Sequence, residues 1–177
     1  LCSGTLSHSK MGAQYNGILD CRSAVQLNGA GKDCRFGCIG FGTCAHVCKF
    51  GALEIIDGLA VVHPELCVGC GQCVETCPRK LIKLVPASAR VHIYCNSLEK
   101  PALRMKKCTA SCIACRKCLK AAPDKFNPQG FMIRAVYTNP PDESVIEAAK
   151  CPRKCLLTPE QHLEAVREDA KKKEGAA

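Results

Sequence analysis

An α+β fold is expected for this chain: short helices and small hairpins wrapped around inorganic centres, with a small hydrophobic core. Three observations predict it. Seventeen of the 177 residues are cysteine, and they cluster in tight runs that leave neighbouring thiols badly placed to bridge one another, which favours metal over disulfides. Aromatic residues make up 5% of the chain and Trp is absent, so side-chain packing alone gives a small core and bound metal must do part of the organising. Finally, two halves of a broken cysteine motif late in the chain fit each other.

The broken motif runs CIACRKCLKAAP, with Cys112, Cys115 and Cys118 in C-x2-C-x2-C spacing and Ala122-Pro123 where a fourth cysteine and its proline would stand. Further on, AAKCPRKC supplies Cys151-Pro152, the end of such a motif without its beginning. In two-cluster ferredoxins the fourth cysteine of each motif ligates the other cluster. Loss of one cluster therefore removes the fourth cysteine of one motif and the first three of the other. What survives here is Cys112, Cys115, Cys118 and Cys151, a ligand set for one [4Fe–4S] cluster.

Along the chain, residues 1–33 form a Gly-, Ser- and Asn-rich extension expected to pack on the first module, with a short helix from about Asp20 to Leu27. Residues 34–90 are expected to form a two-cluster module. Its first motif, CRFGCIGFGTCAHVC, supplies Cys34, Cys38, Cys44 and Cys48 and reads as a motif stretched by extra residues. Its second, CVGCGQCVETCP, supplies Cys67, Cys70, Cys73 and Cys77. Crossed ligation assigns Cys34, Cys38, Cys44 and Cys77 to one cluster and Cys48, Cys67, Cys70 and Cys73 to the other. Between the motifs, ALEIIDGLAVVHPEL reads as two strands around an Asp57-Gly58 turn. LIKLV after Cys77 mirrors ALEII after Cys48, so a repeat of loop, short helix and strand is expected. Tandem bacterial-type ferredoxin-like modules are thus the predicted architecture. Structural zinc is the competing reading, but it prefers separated C-x2-C knuckles to three cysteines at successive three-residue steps.

Residues 91–158 are expected to hold the one-cluster module, reached through a linker containing the strand VHIYC. FMIRAVYT reads as its strand-pair region. PPDESVIEAAK, with prolines at its start and acidic residues in the first turn, reads as a helix in place of the lost cluster loop. Residues 159–177 form a polar helix and basic tail. Among the remaining cysteines, Cys155 reads as a bystander and Cys108 competes with Cys112 as a ligand. Cys2, Cys21, Cys95 and Cys108 each lie just outside a module border, which leaves a further metal site among them open.

The formal charge of +9 counts thiols as neutral; three clusters, each adding roughly two negative charges, leave it mildly positive, a weak argument for nucleic acid, and no nucleic-acid partner is expected. Lys100, Arg104, Lys106, Lys107, Arg116, Lys117 and Lys120 gather around the third motif, as a solvated face or a docking surface for an acidic electron carrier. No apolar stretch approaches a membrane span and no signal peptide is visible. Dinucleotide loop, P-loop and catalytic-triad spacings are absent, so no substrate chemistry is expected of this chain.

LCSGT, KMGAQYNGILDCRSA, CRFGCIGFGTCAHVCKFGAL, AVVHPELCVGCGQCVETCPRKLIKLVP, YCNS and SCIACRKC, in this order, resemble the ferredoxin-rich C-terminal region of the B subunit of Rnf ion-translocating electron-transport complexes. Members of that family carry an N-terminal membrane anchor and a further cluster domain ahead of this region, so a chain beginning at Leu1 is expected to be a piece of a longer product. They often keep both clusters in the last module, whereas this chain keeps one. The spacing predicts three [4Fe–4S] clusters, and the resemblance implies that they accept electrons from a soluble reduced ferredoxin and relay them to other redox subunits. It also implies a place on the cytoplasmic side of the cell membrane, reached through partners or the anchor. A polyferredoxin subunit of a soluble dehydrogenase, hydrogenase or electron-bifurcating complex is the alternative, and a zinc-stabilised binding module is the alternative of another class.

Overall fold

The computed structural model describes residues 1–175. Three two-stranded antiparallel sheets, all short, are joined by seven short-to-medium helices among these residues. The extension carries α1 (Cys21–Gln26), capped by Asp20, whose carboxylate accepts from the amides of Arg22 and Ser23; an acceptor at this position satisfies helix donors that have no other partner. The first cluster loop leads into α2 (Thr43–His46) and then the hairpin of β1 (Leu53–Ile56) and β2 (Leu59–Val62), in register Leu53↔Val62 to Ile56↔Leu59. Asp57 and Gly58, at φ 41° and 66°, make the two-residue turn between them. Positive φ at both positions twists the turn to match the strands, which is why an Asp-Gly pair marks it.

The second loop leads into α3 (Gln72–Thr76). No strand follows: residues 81–85 are irregular, which corrects the expected loop–helix–strand repeat. The hairpin strands β1 and β2 pair only with each other. The 81–85 segment instead lines a cavity, and the Leu81 carbonyl accepts from the Leu1 ammonium at 2.7 Å. The linker is more ordered than expected. It contains β3 (His92–Ile93) and an unforeseen helix α4 (Pro101–Lys107), opened by proline at its first position and ending in three basic residues.

Next come α5 (Lys117–Ala121) and a second hairpin, β4 (Phe126–Gln129) with β5 (Met132–Ala135), turned at Gly130-Phe131. Helix α6 (Ser144–Ala149) stands where the lost loop was expected and packs on α5. Finally β6 (Leu156–Leu157) returns to pair with β3, and α7 (Pro159–Glu174) follows a Thr158–Gln161 capping box. The buried apolar residues form three small clusters. Val91, Phe126, Ile133, Val145, Ala149 and Leu156 make the largest; Cys21, Ala24, Ala30 and Ile39 seat α1. Leu59, Val61 and Val166 fix α7 on the first hairpin.

The N-terminal extension touches more than the first module. Ser9 bridges to Cys108, the Lys10 amide donates to the Lys107 carbonyl, and the Ser3 amide donates to the Tyr94 carbonyl at 3.0 Å. None of the described helices is long and apolar enough to cross a membrane.

Candidate metal centres

The backbone repeats more faithfully than the cysteine spacing does. In the second loop Gly69 and Gly71 are left-handed, at φ 70° and 82°, and Gly71 starts the helix that carries Cys73. In the third, Ala114 and Arg116 take φ 53° and 59°, and Arg116 starts the helix that carries Cys118. A non-glycine residue pays roughly 1–2 kcal/mol for that conformation, so the turn is imposed by what the loop must do. Alternating left-handed residues point successive amides inward and create an anion-binding concavity. In the first loop the same pair is Gly40 and Gly42, at φ 95° and 77°, ahead of the helix that carries Cys44.

This backbone register aligns Cys38 with Cys67 and Cys112, and Cys44 with Cys73 and Cys118. The first loop therefore has the ordinary length. Phe41 stands in the place of Cys70 and Cys115, and Cys34 lies outside the loop. The expected stretched motif is instead a standard loop with one thiol replaced. The glycine pairs were the readable signal for it.

The exits repeat too. Three residues after Cys48, Cys77 and Cys151 stand the left-handed Gly51, Lys80 and Lys154. Four residues on, the Leu81 amide donates to Cys77 Sγ at 3.5 Å and the Cys155 amide to Cys151 Sγ at 3.4 Å. Cys151 thus occupies the same kind of turn as Cys77.

The helices α2 and α3 pack together and bring the two loops around one cavity of about 760 Å³. It is lined by Cys38, Cys44, Cys48, Cys67, Cys70, Cys73 and Cys77, together with Cys2, Cys21 and Cys95, but not by Cys34. Cys44 lies within electrostatic reach of Cys38, Cys21 and Cys77, and Cys73 within reach of Cys67 and Cys70. Burial pushes the Cys44 thiol up to about 12, so ligation there must displace a proton. Cys67 and Cys70 are exposed at the rim.

In the second half, Cys118 lies within reach of Cys112, Cys151 and Cys115. Cys155, 2% exposed, sits beside two of them; its thiol donates to the carbonyls of Ala110 and Arg153, both at 3.5 Å, and its amide to Cys151 Sγ. The Cys155 thiol beside them lowers Cys112 and Cys151, and Cys155 itself is pushed up by the same two neighbours and by burial. Cys108 is turned away from this group: it lies with Cys2, Cys34 and Cys95.

A buried lysine and a half-buried arginine also escaped the sequence reading, since single lysines and arginines carry no spacing signal. Lys32, 3% exposed, donates to the carbonyls of Gly4 at 3.1 Å and Cys38 at 2.8 Å. Arg79 donates to the carbonyls of Cys34 and Gly37. Buried cations want anions nearby, and thiolate-ligated clusters supply them. Among the described residues no three His, Cys, Asp or Glu side chains converge closely enough for one metal ion. The sulfurs ring volumes instead, with inward-facing amides and cations around them, and this donor set fits a polynuclear iron–sulfur group.

Comparison with known proteins agrees. A family model described as a 4Fe-4S binding domain matches residues 60–83, which span the second loop. The chain is 44% identical over 113 residues to the B subunit of the Na(+)-translocating ferredoxin:NAD(+) oxidoreductase complex of Acetobacterium woodii, covering 63% of this chain and 34% of that one. It is 40% identical over 123 residues to the B subunit of the ion-translocating oxidoreductase complex of Methanosarcina acetivorans, covering 69% and 47%. It is 40% identical over 112 residues to the B subunit of the proton-translocating ferredoxin:NAD(+) oxidoreductase complex of Clostridium ljungdahlii, covering 63% and 39%. These matches span between about a third and a half of the relatives' lengths.

Proposed function

We propose, from the premise that this chain is a homologue of Rnf complex B subunits over about two thirds of its length, that it accepts electrons from reduced ferredoxin. It then relays them one at a time to other redox subunits of a membrane-associated complex, on the cytoplasmic side. The observation that supports this best is the threefold backbone repeat, which sets thiols and inward-facing amides around compact volumes.

Three [4Fe–4S] clusters are proposed. Cys48, Cys67, Cys70 and Cys73 hold the first. Cys38, Cys44 and Cys77 hold the second with one further thiolate, and Cys112, Cys115, Cys118 and Cys151 hold the third. When bound, each cluster supplies reversible one-electron exchange. The chain's own residues set the conditions. The amides of Leu81, Ala114 and Cys155 donate to ligand sulfurs, which favours the reduced, more negative state. Buried apolar side chains such as Leu59, Val61, Phe126 and Leu156 keep water from the surrounding structure.

Electron entry is proposed at the third loop. Cys115 is exposed there, Arg116, Lys117 and Lys120 are exposed beside it in sequence, and Lys100 and Lys106 are exposed at α4. The patch is smaller than the sequence suggested. Arg104 is 1% exposed, and Lys107 is held in an ion pair by Glu99. Such a face steers an acidic carrier by long-range attraction that salt screens. Stopped-flow reduction of the reconstituted protein by reduced ferredoxin tests this. Replacing Lys106, Arg116 and Lys117 by Gln is expected to slow the second-order rate about tenfold or more at low salt, and the difference is expected to shrink at high salt. Equal rates at low salt would exclude this face as the docking site.

A further inference from the structure

We propose that Cys2, Cys34, Cys95 and Cys108 hold a fourth [4Fe–4S] cluster between the two halves of the chain, and that Cys21 is the remaining ligand of the cluster held by Cys38, Cys44 and Cys77. This rests on the reading above that the loops hold iron–sulfur clusters.

The starting point is the backbone register. Phe41 occupies a ligand place in the first loop, so that cluster needs a thiolate from elsewhere, and Cys34 lies outside the loop. The neighbourhoods decide the exchange. Cys44 is surrounded by Cys38, Cys21 and Cys77. Cys34 lies within electrostatic reach of Cys2, and Cys108 within reach of Cys2, Cys34 and Cys95. Cys2 Sγ and Cys108 Sγ flank one point beside Gly4, at 3.4 and 3.2 Å from where a Cβ would stand. The two sulfurs are thus no further apart than those distances laid end to end, the scale of a single cubane.

The four thiols also share the local geometry of the proposed ligands. In the third loop the Ala114 amide, two residues on, donates to Cys112 Sγ at 3.4 Å. Likewise the Gly4 amide donates to Cys2 Sγ at 3.2 Å. The amides of Phe36, Ser97 and Ala110 are turned toward Cys34, Cys95 and Cys108. Buried thiols need no such donors; thiolates do.

A second, independent observation concerns polar atoms left without partners. Ser3 Oγ, Arg104 Nε and Ser111 Oγ are buried donors left unpaired among the described residues. All three stand on the segments that carry Cys2 and Cys108 or lead between Cys95 and Cys108. Buried polar atoms are seldom orphaned in a native fold, and an anionic inorganic group in their midst would accept from such donors. Lys32 and Arg79 lie on the other flank, bonded only to carbonyls, so that each cation sits beside both this set and the Cys38 group.

The placement completes the relay. Cys95 receives the Cys112 amide, which puts the fourth set against the third-loop cluster; Cys38 lies within reach of Cys2, which puts it against the first-loop cluster. Electrons entering at Cys115 would then pass through buried centres and emerge at the exposed Cys67 and Cys70. Each ligating thiol releases its proton when the cluster assembles, and the transfer itself moves one electron between neighbours with no other change.

Anaerobic reconstitution of the chain, followed by iron, sulfide and zinc determination, tests the proposal. About sixteen iron and sixteen sulfide per chain are expected, against about twelve for three clusters. Cys108→Ser is expected to lower the count by about four, and Cys34→Ser with Cys108→Ser by no more than about four, because both belong to one cluster. Cys34→Ser with Cys21→Ser is expected to lower it by about eight. If Cys108→Ser does not fold, Cys2→Ser gives the same readout from a site at the chain terminus. A wild-type count of about twelve, unchanged by Cys108→Ser or Cys2→Ser, or about twelve iron with one zinc, would overturn the fourth cluster and leave the relay standing. Absence of sulfide altogether would overturn the relay itself.

Discussion

Cys151 and Cys155 differ by four positions and by role. Cys151 sits in the exit turn also made at Cys77, whereas Cys155 holds the place of Leu81, whose amide rather than side chain serves the ligand. Cys151→Ser is therefore expected to lower the iron content by about four per chain, while Cys155→Ser leaves it unchanged. Equal losses, measured by iron and sulfide analysis, would refute the distinction. Spacing revealed Cys151 because complementary loss leaves a trace in the sequence. It hid the place of Cys34, because a cysteine count does not register which residue the backbone presents; Gly40 and Gly42, set against Gly69 and Gly71, carry that information. Titration at the residue scale centres on His92, 5% exposed and bonded through Nδ1 to the Tyr137 hydroxyl. Burial, with the N-terminal charge, lowers its affinity for a proton. A histidine lowered on folding contributes stability that is full above its ordinary value near 6.5 and is lost as pH falls below it. The drop in Tm between pH about 7.5 and about 5.5 is thus expected to be smaller in His92→Gln than in the unsubstituted chain. An equal drop would place the loss elsewhere.

At the scale of elements, local chemistry was readable wherever one turn or cap decides the outcome. Asp20 caps α1, Asp57-Gly58 turns the first hairpin, and Pro140-Pro141 with Asp142 precede α6. Elements decided by distant partners were not. Residues 81–85 have the composition of a strand, but they line the cavity and pair with no strand among the described residues. Helix α4 is built largely of good helix formers after Pro101, but its role emerges only from Arg104, whose guanidinium donates to the carbonyls of Ser97 and Phe131. Close approach makes two sites fragile. A Cβ at Gly40 would stand 2.2 Å from the Gly58 carbonyl oxygen at φ 95°, so Gly40→Ala is expected to separate the loop from the hairpin and cost one cluster. Leu59, 1% exposed, is the centre of the cluster with Val61 and Val166. Leu59→Ala is expected to destabilise the protein by about 2–5 kcal/mol in denaturant unfolding; a change below about 1 kcal/mol would mean that α7 is not anchored there.

Across the whole molecule, both ends of the chain return to the first hairpin. Ser7 bonds Asp57 through its amide and hydroxyl, Lys173 Nζ bonds the same carboxylate at 2.9 Å, and Arg167 pairs with Glu54. His162 stacks on Tyr94 with centroids 3.8 Å apart and reaches the Cys2 carbonyl. The apolar clusters are small and separate, so the thiol-lined volumes between them must be filled for the parts to cohere. This follows from composition alone: few aromatics, many cysteines. What composition could not give is which cysteines meet, since that depends on contacts between segments far apart in the chain. The most direct test of the central claim is metal and sulfide content of the protein purified without oxygen. Iron and acid-labile sulfide in equal amounts, at least about twelve of each per chain, are expected, and chelation of that iron should abolish cooperative unfolding. Zinc with no sulfide, in a protein that still unfolds cooperatively, would contradict it.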